Sequence, residues 1–325
     1  MTKIGIALGG GGIVGCAHLG ILLALEEARI PIHCLAGTSS GSIVAALYGF
    51  GYSARELIEF VPSIDRSYLD YDYGQFLNKL FRKDAQTRGL VRGKKLFELI
   101  AEKTGDARMV DLKNPVAILS ADLRRGRQAL FASRPLLHPL PDSDVFSDIS
   151  VARAVQASCA VPLLFQPVEY KNHLFVDGGI LENCPASAAR ALGADIVLAV
   201  DLVFADPVDA PFHSFMSILY RVITINVASQ SKRTAQHADL VLRPHVGGIG
   251  MFDFNQAEHC MERGYDHAKE RLDEIFDILD RVDRACHRKA PSSMTHLLTG
   301  KPFASFRSRQ RLASTTSSFF SKIRQ

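Results

Sequence analysis

Twice within its first 50 residues the chain runs from a short apolar segment through a glycine-flanked turn directly into a helix-forming stretch. Lys3 to Leu8 leads through Gly9 to Gly12 into a helical run from Gly15 to Ala28. Ile32 to Ala36 then leads through Gly37-Thr38-Ser39-Ser40-Gly41 into a helix ending near Phe50. Strands this short and this continuously apolar must be covered on both faces, which is the situation of a parallel sheet whose crossovers are helices. The alternation continues downstream. Helices are expected over Ser53–Phe60, Lys94–Lys103, Ile149–Ala157, Ala186–Leu192, Phe215–Ser229 and, as one long amphipathic element, Ala257–Leu279. Strands are expected over Val116–Asp122, Gln128–Phe131, Leu174–Val176, Ile196–Val200 and Leu240–Arg243, and the helix over Ile149–Ala157 is expected to be capped near Ser147 or Asp148. The aromatic-rich stretch holding Tyr68, Tyr71, Tyr73, Phe76 and Phe81 reads either as a cap over a site or as ordinary surface helices.

The second turn has the Gly-x-Ser-x-Gly form of a nucleophile elbow. A serine at the tip of a sharp strand-to-helix turn is exposed above the sheet, over the positive end of the following helix. The flanking residues are glycine where a Cβ would strike the neighbouring backbone. The pattern alone is weak, because small-residue turns are common; the strand before Ser39 and the helix former after it supply the context it needs.

The first turn contains a formal G-x-G-x-x-G at Gly10, Gly12 and Gly15. A dinucleotide site also needs a carboxylate at the end of the second strand for the ribose hydroxyls, and that strand ends in Leu35-Ala36-Gly37. Glu26 and Glu27 fall at a helix end instead, so a nucleotide-binding oxidoreductase is disfavoured. Backbone N–H groups of Gly10, Gly11 and Gly12, bare of side chains at a helix start, can instead receive a developing oxyanion. If the first two strands are neighbours, these glycines lie beside Ser39.

A serine nucleophile needs a base. None of the eleven histidines sits in a signature context of the Gly-x-Ser-x-Gly hydrolases, and His18, inside the first helix, reads as a packed residue. Asp177 ends a strand and is followed by Gly178 and Gly179, which leaves a carboxylate at the rim of the sheet.

These segments together resemble the patatin-like phospholipase family, of the bacterial kind. The likeness runs from about Lys3 to Glu270. It is carried by the glycine loop with Ala17-His18-Leu19-Gly20, by Gly37 to Ser42, by Ala157-Ser158-Cys159-Ala160-Val161-Pro162, and by Phe175-Val176-Asp177-Gly178-Gly179 with Asn183 and Pro185. The resemblance implies a doubly wound, mostly parallel α/β sheet with helices on both faces, in three layers. It also implies a Ser-Asp dyad without histidine: Ser39 as nucleophile, Asp177 as base, Gly10, Gly11 and Gly12 as oxyanion donors, and Ala160, Val161 and Pro162 on an acyl groove. No metal or organic cofactor is needed for such acyl transfer. Val14 departs from the pattern, since the family usually has Arg or Lys there, and Cys184 replaces a larger apolar residue. The expected activity is hydrolysis of lipid acyl esters, of phospholipase A, lysophospholipase or carboxylesterase type; the alternative is a catalytically weak regulatory or membrane-associated protein of the same fold.

Charge divides the chain unevenly. Residues 284–325 hold nine Lys or Arg and no acid, leaving 29 basic and 34 acidic residues in the first 283. Residues 1–283 therefore read as one hydrolase domain, and 284–325 as a basic, Ser- and Phe-containing tail. That tail is either a flexible solvated extension or a peripheral contact with anionic membrane. Lipid or another acyl ester, not nucleic acid, is the expected partner. The six cysteines show no C-x-x-C spacing and sit mostly in apolar segments, which suits reduced thiols and gives no zinc motif. Ile4–Leu25 and Cys34–Tyr48 are poor in charge but broken by glycine and polar residues, so a cytoplasmic protein without signal peptide or transmembrane helix is expected.

Overall fold

The computed structural model describes residues 2–65, 67, 70, 89, 91–205, 207 and 215–289. The aromatic residues Tyr68, Tyr71, Tyr73, Phe76 and Phe81, and residues 290–325 of the tail, lie outside the described residues.

A nine-stranded sheet forms the middle layer. Its strands are β1 (Ile4–Leu8), β2 (Ile32–Thr38), β3 (Val116–Asp122), β4 (Arg127–Ala132), β5 (Ser143–Phe146), β6 (Val168–Tyr170), β7 (His173–Asp177), β8 (Ile196–Val200) and β9 (Leu240–Leu242). The main path runs β5-β4-β3-β2-β1-β8-β9, with the β6–β7 hairpin added against β3. β3, β2, β1, β8 and β9 are mutually parallel, whereas β4 and β7 run antiparallel to β3. The chain winds from β1 outward through β2 to β3 and later returns to the other side of β1 for β8. β1 is thus the topological switch point, and a crevice opens at the carboxyl ends of β1 and β8.

The alternation within β1 shows how the two outer layers form. Ile4, Ile6 and Leu8 enter the larger core under α1 (Ala17–Glu27), α2 (Ser40–Phe50), α3 (Ala54–Phe60), α4 (Lys94–Thr104), α5 (Val151–Ser158) and α9 (Ala257–Glu270). Ala7, with Cys34, Ala36 and Ala117, faces the alanine-rich α6 (Ala186–Ala191) on the opposite side, where small residues let the helix approach closely. α7 (Phe215–Ser229) and α8 (Ser231–His237) follow β8. This is the mostly parallel sheet, covered on both faces, that the alternating sequence pattern predicts.

Several boundaries differ from expectation. The helix expected from Gly15 begins with a 3-10 turn, Gly12–Cys16, before α1. α5 is capped by Ser150, whose hydroxyl accepts from Arg153 N–H at 3.3 Å, and not by Ser147 or Asp148. The long element expected over Ala257–Leu279 is two helices, α9 and α10 (Leu272–Lys289), parted at Arg271. α10 also runs unbroken across residue 283, so the charge boundary there is not a structural one. Among the described residues, no helix is long and apolar enough to cross a membrane.

Candidate active site

The register of β3 brings the two candidate reacting groups together. β2 pairs with β3 only as far as Thr38 opposite Leu119, and β7 takes over at the next step, with Asp177 opposite Ser120. Ser39 leaves the end of β2 and Asp177 ends β7, so both emerge at the Leu119–Ser120 step. Ser120 secures this junction by donating to the Val176 carbonyl at 2.6 Å, and the Asp177 N–H donates to the Ala160 carbonyl at 2.9 Å.

Ser39 is the N-cap of α2 and has φ 53° and ψ −127°, a region that non-glycine residues avoid. The turn is held by close backbone approach. A Cβ on Gly37 would lie 2.4 Å from the Gly41 carbonyl oxygen, and one on Gly41 would lie 2.1 Å from that of Leu8. Ser158 completes the elbow: its Oγ accepts the Ser39 N–H at 2.9 Å and donates to the Leu119 carbonyl at 2.5 Å. Ser39 and Asp177 stand together on the wall of one cavity, and the Asp177 carboxylate accepts from Gly179 N–H at 2.8 Å. Asp177 is 6% exposed, and burial pushes its pKa up to about 6 against the pull of the neighbouring Ser39 hydroxyl and of Gly179 N–H.

The glycine loop lies against Ser39: a Cβ on Gly10 would sit 2.9 Å from the Ser39 Cβ. The three glycines are not equivalent. Gly10 N–H donates to the Asn183 carbonyl at 3.3 Å, while Gly11 and Gly12 N–H have no partner among the described residues. The expected trio of donors is therefore reduced to two free ones, with Gly10 tied to the scaffold. Asn183 returns the contact through its Nδ2, which donates to the Gly10 carbonyl at 3.4 Å. His18 holds the preceding residue. Its ring is fully buried, its Nε2 is 2.7 Å from the Gly9 carbonyl, and burial lowers its pKa to about 4. A neutral ring at that distance from a carbonyl carries its proton on Nε2 and donates it. His18 is packed, as expected, and it also fixes the loop.

Two cavities meet at Ser39, and both are lined by Gly12, Val161 and Met251 as well. The first, of about 290 Å³, carries Gly10, Gly11, Asp177, Asn183, Arg221 and His245 on its wall. The second, of about 210 Å³, is apolar and runs between α2, α3 and α4, past Val44, Leu57, Phe60, Leu99 and Phe165. Of the expected groove residues, Val161 lines both and Pro162 the first. Ala160 lies on neither wall; it is 1% exposed and serves through its carbonyl. The apolar cavity is thus built mainly from helices to which the sequence reading gave no part in the site. Val14 is 7% exposed on the wall of the first cavity, where it packs over Gly11. Among the described residues, no three His, Cys, Asp or Glu side chains are grouped so as to hold a metal.

Ser158, Asn183 and His18 are the positioning residues whose roles sequence reasoning missed. Each stands in a segment that carries the family resemblance, but nothing in the sequence says that Ser158 and Asn183 fold back onto the elbow and the glycine loop.

Comparison with known proteins agrees with this architecture. The family model described as patatin-like phospholipase matches residues 6–190. Patatin-like phospholipase domain-containing protein 6 of Mus musculus is 33% identical over 219 residues, which is 64% of this chain and 14% of that protein. Lysophospholipase nte1 of Aspergillus fumigatus is 26% identical over 305 residues, 84% of this chain and 18% of that protein. The chain therefore spans under a fifth of the length of these relatives. The crystal structure of VipD from Legionella pneumophila shares the fold, with a TM-score of 0.51 at 14% identity, over 84% of this chain and 67% of that one. With the family model matching more than half of its length, the chain belongs to the patatin-like phospholipase family.

Proposed function

We propose that this chain is a serine acyl hydrolase that cleaves lipid acyl esters through an acyl-enzyme. The observation that carries the reading is that Ser39 and the buried Asp177 carboxylate emerge at one step of β3 onto the wall of one cavity, where an apolar cavity also meets Ser39. Asp177 accepts the hydroxyl proton as Ser39 Oγ attacks the ester carbonyl. The carbonyl oxygen becomes an oxyanion facing the free N–H groups of Gly11 and Gly12, and the alcohol leaves with the proton from Asp177. Water then attacks the acyl-Ser39 ester with Asp177 again as base, releasing the fatty acid. The positive end of α2 and the strained backbone of Ser39 keep Oγ aimed outward. The apolar cavity suits an acyl chain, and the cavity bearing Arg221 and His245 suits the polar remainder of the substrate. Relatives named as a lysophospholipase and as a phospholipase domain-containing protein support a lipid ester.

The test is labelling with a fluorophosphonate followed by peptide mapping, alongside hydrolysis of a short p-nitrophenyl ester. Modification at Ser39, and loss of turnover by at least about 1,000-fold in Ser39→Ala and in Asp177→Asn, are expected. Label on Ser40 or Ser42, or full turnover in either variant, sinks the dyad.

A further inference from the structure

We infer that the outer face of α7 is a docking surface for an anionic lipid bilayer. Ile218, Val222 and Ile225 are 50%, 56% and 48% exposed. Their spacing of four and then three residues puts them on one side of the helix. Beside them, Leu163 is 46% exposed, in the segment that lines an apolar cavity with Ser217, Leu219 and Ile223 of α7. These two adjoining segments supply half of the large apolar side chains that stand exposed among the described residues. An apolar stripe of this kind on a surface helix marks an interaction face, because burial elsewhere in the molecule is available to such residues and is not used.

Charge and position identify the occupant. From residue 210 to residue 238 the chain carries Arg221, Lys232 and Arg233 and no acid, although acidic residues outnumber basic ones across the first 283. Together α7 and the following α8, free of acid on an acidic body, complement an anionic lipid surface. Another side of α7, through Arg221, Ile223, Thr224 and Val227, lines the cavity that contains Ser39. Seating the stripe in the headgroup region therefore brings the cavity mouth to the source of an insoluble ester. This choice of partner rests on the lipid-ester reading of that cavity.

The test uses the full chain carrying Ser39→Ala, so that no lipid is consumed, and vesicles of phosphatidylglycerol and phosphatidylcholine in a sedimentation assay. A second protein adds Ile218→Ser, Val222→Ser and Ile225→Ser, all exposed changes. Losing three half-exposed aliphatic side chains should weaken partition by about 100-fold. The measurement is repeated near 1 M salt, where screening over about 3 Å removes the attraction of the basic tail. A loss of tenfold or more at both salt concentrations supports the surface. Equal partition of the two proteins overturns it, as does a concentration-dependent dimer that the triple substitution abolishes. The same triple substitution with Ser39 intact should hydrolyse a soluble short-chain ester at the parent rate. Absence of hydrolysis in the parent would count against the proposed chemistry and leave the partition measurement standing.

Discussion

Asp177 is held in two conflicting ways, and the conflict has a measurable cost. Its carboxylate accepts from Gly179 N–H and is drawn down by the neighbouring Ser39 hydroxyl, yet burial holds its pKa at about 6 instead of 3.8. The folded chain therefore binds this proton more tightly than the unfolded chain. Stability is highest below pH 3.8, falls as pH rises toward 6, and stays lower above that. At 1.36 kcal/mol per pKa unit the difference is about 3 kcal/mol. Asp177→Asn removes the buried charge and keeps an oxygen acceptor for Gly179 N–H. Its new amide N–H lacks a guaranteed partner, which takes back about 1 kcal/mol.

The net expectation is an Asp177→Asn protein more stable than the parent by about 2 kcal/mol at pH 8, which corresponds to roughly 3 °C in Tm for a chain of this length. It should be equal to or slightly less stable than the parent at pH 4. Urea unfolding of both proteins at pH 4, 6 and 8 checks this. A variant less stable than the parent at pH 8, or a stability difference that does not change with pH, refutes the assignment of a desolvated carboxylate. The same group predicts that ester hydrolysis rises with pH through about 6, because the base must be ionised, and that this limb is absent from any residual activity of the variant.

Three further outcomes follow from the geometry. Ser39→Gly, which relieves φ 53° and ψ −127°, should raise urea stability by about 1 kcal/mol, whereas Ser39→Ala should not; equal stability of the two would mean that the elbow stores no strain. His18→Leu should leave the Gly9 carbonyl without its donor, cost about 2 kcal/mol, and lower kcat more than it changes KM; a change confined to stability makes His18 packing alone. Val44→Phe, on the apolar cavity wall, should reduce kcat/KM for a p-nitrophenyl dodecanoate by about tenfold relative to the acetate; an equal effect on both esters argues that the acyl chain lies elsewhere.

The parts of this molecule that were legible in its sequence are those set by local chemistry. Continuous apolar runs ending in glycine predict buried parallel strands, and Gly37 and Gly41 are required by contacts that any strand-to-helix turn of this sharpness makes. What the sequence could not reveal depends on register across long separations. Asp177 reaches Ser39 because β2 stops one residue pair before β7 begins on the same strand of the sheet. Ser158 reaches the Ser39 N–H from 119 residues away, and Asn183 reaches Gly10 from 173. The short strands β5 and β6 escaped notice because four and three residues are too few to show a period. The split between α9 and α10 escaped for the opposite reason: the amphipathic pattern continues across Arg271 although the helix does not.

Val14 is where the alternative of a catalytically weak protein finds its support, since a cation at that position could orient the glycine loop. The loop is oriented here by other means. His18 holds Gly9, Asn183 holds Gly10 from both sides, and Ile13 N–H donates to the Met251 carbonyl at 3.0 Å. Gly11 and Gly12 are thus fixed between anchored neighbours, and the Val14 side chain packs over Gly11 as part of the wall. Loss of the cation leaves the shape of the loop intact and makes that part of the cavity apolar. The consequence of Val14 therefore belongs to recognition of the polar end of the substrate, where Arg221 and His245 supply basic groups on the same wall. If loop shape were instead the limiting factor, Val14→Arg would raise turnover of neutral and anionic esters alike. A gain restricted to anionic esters is the outcome that the anchored loop requires.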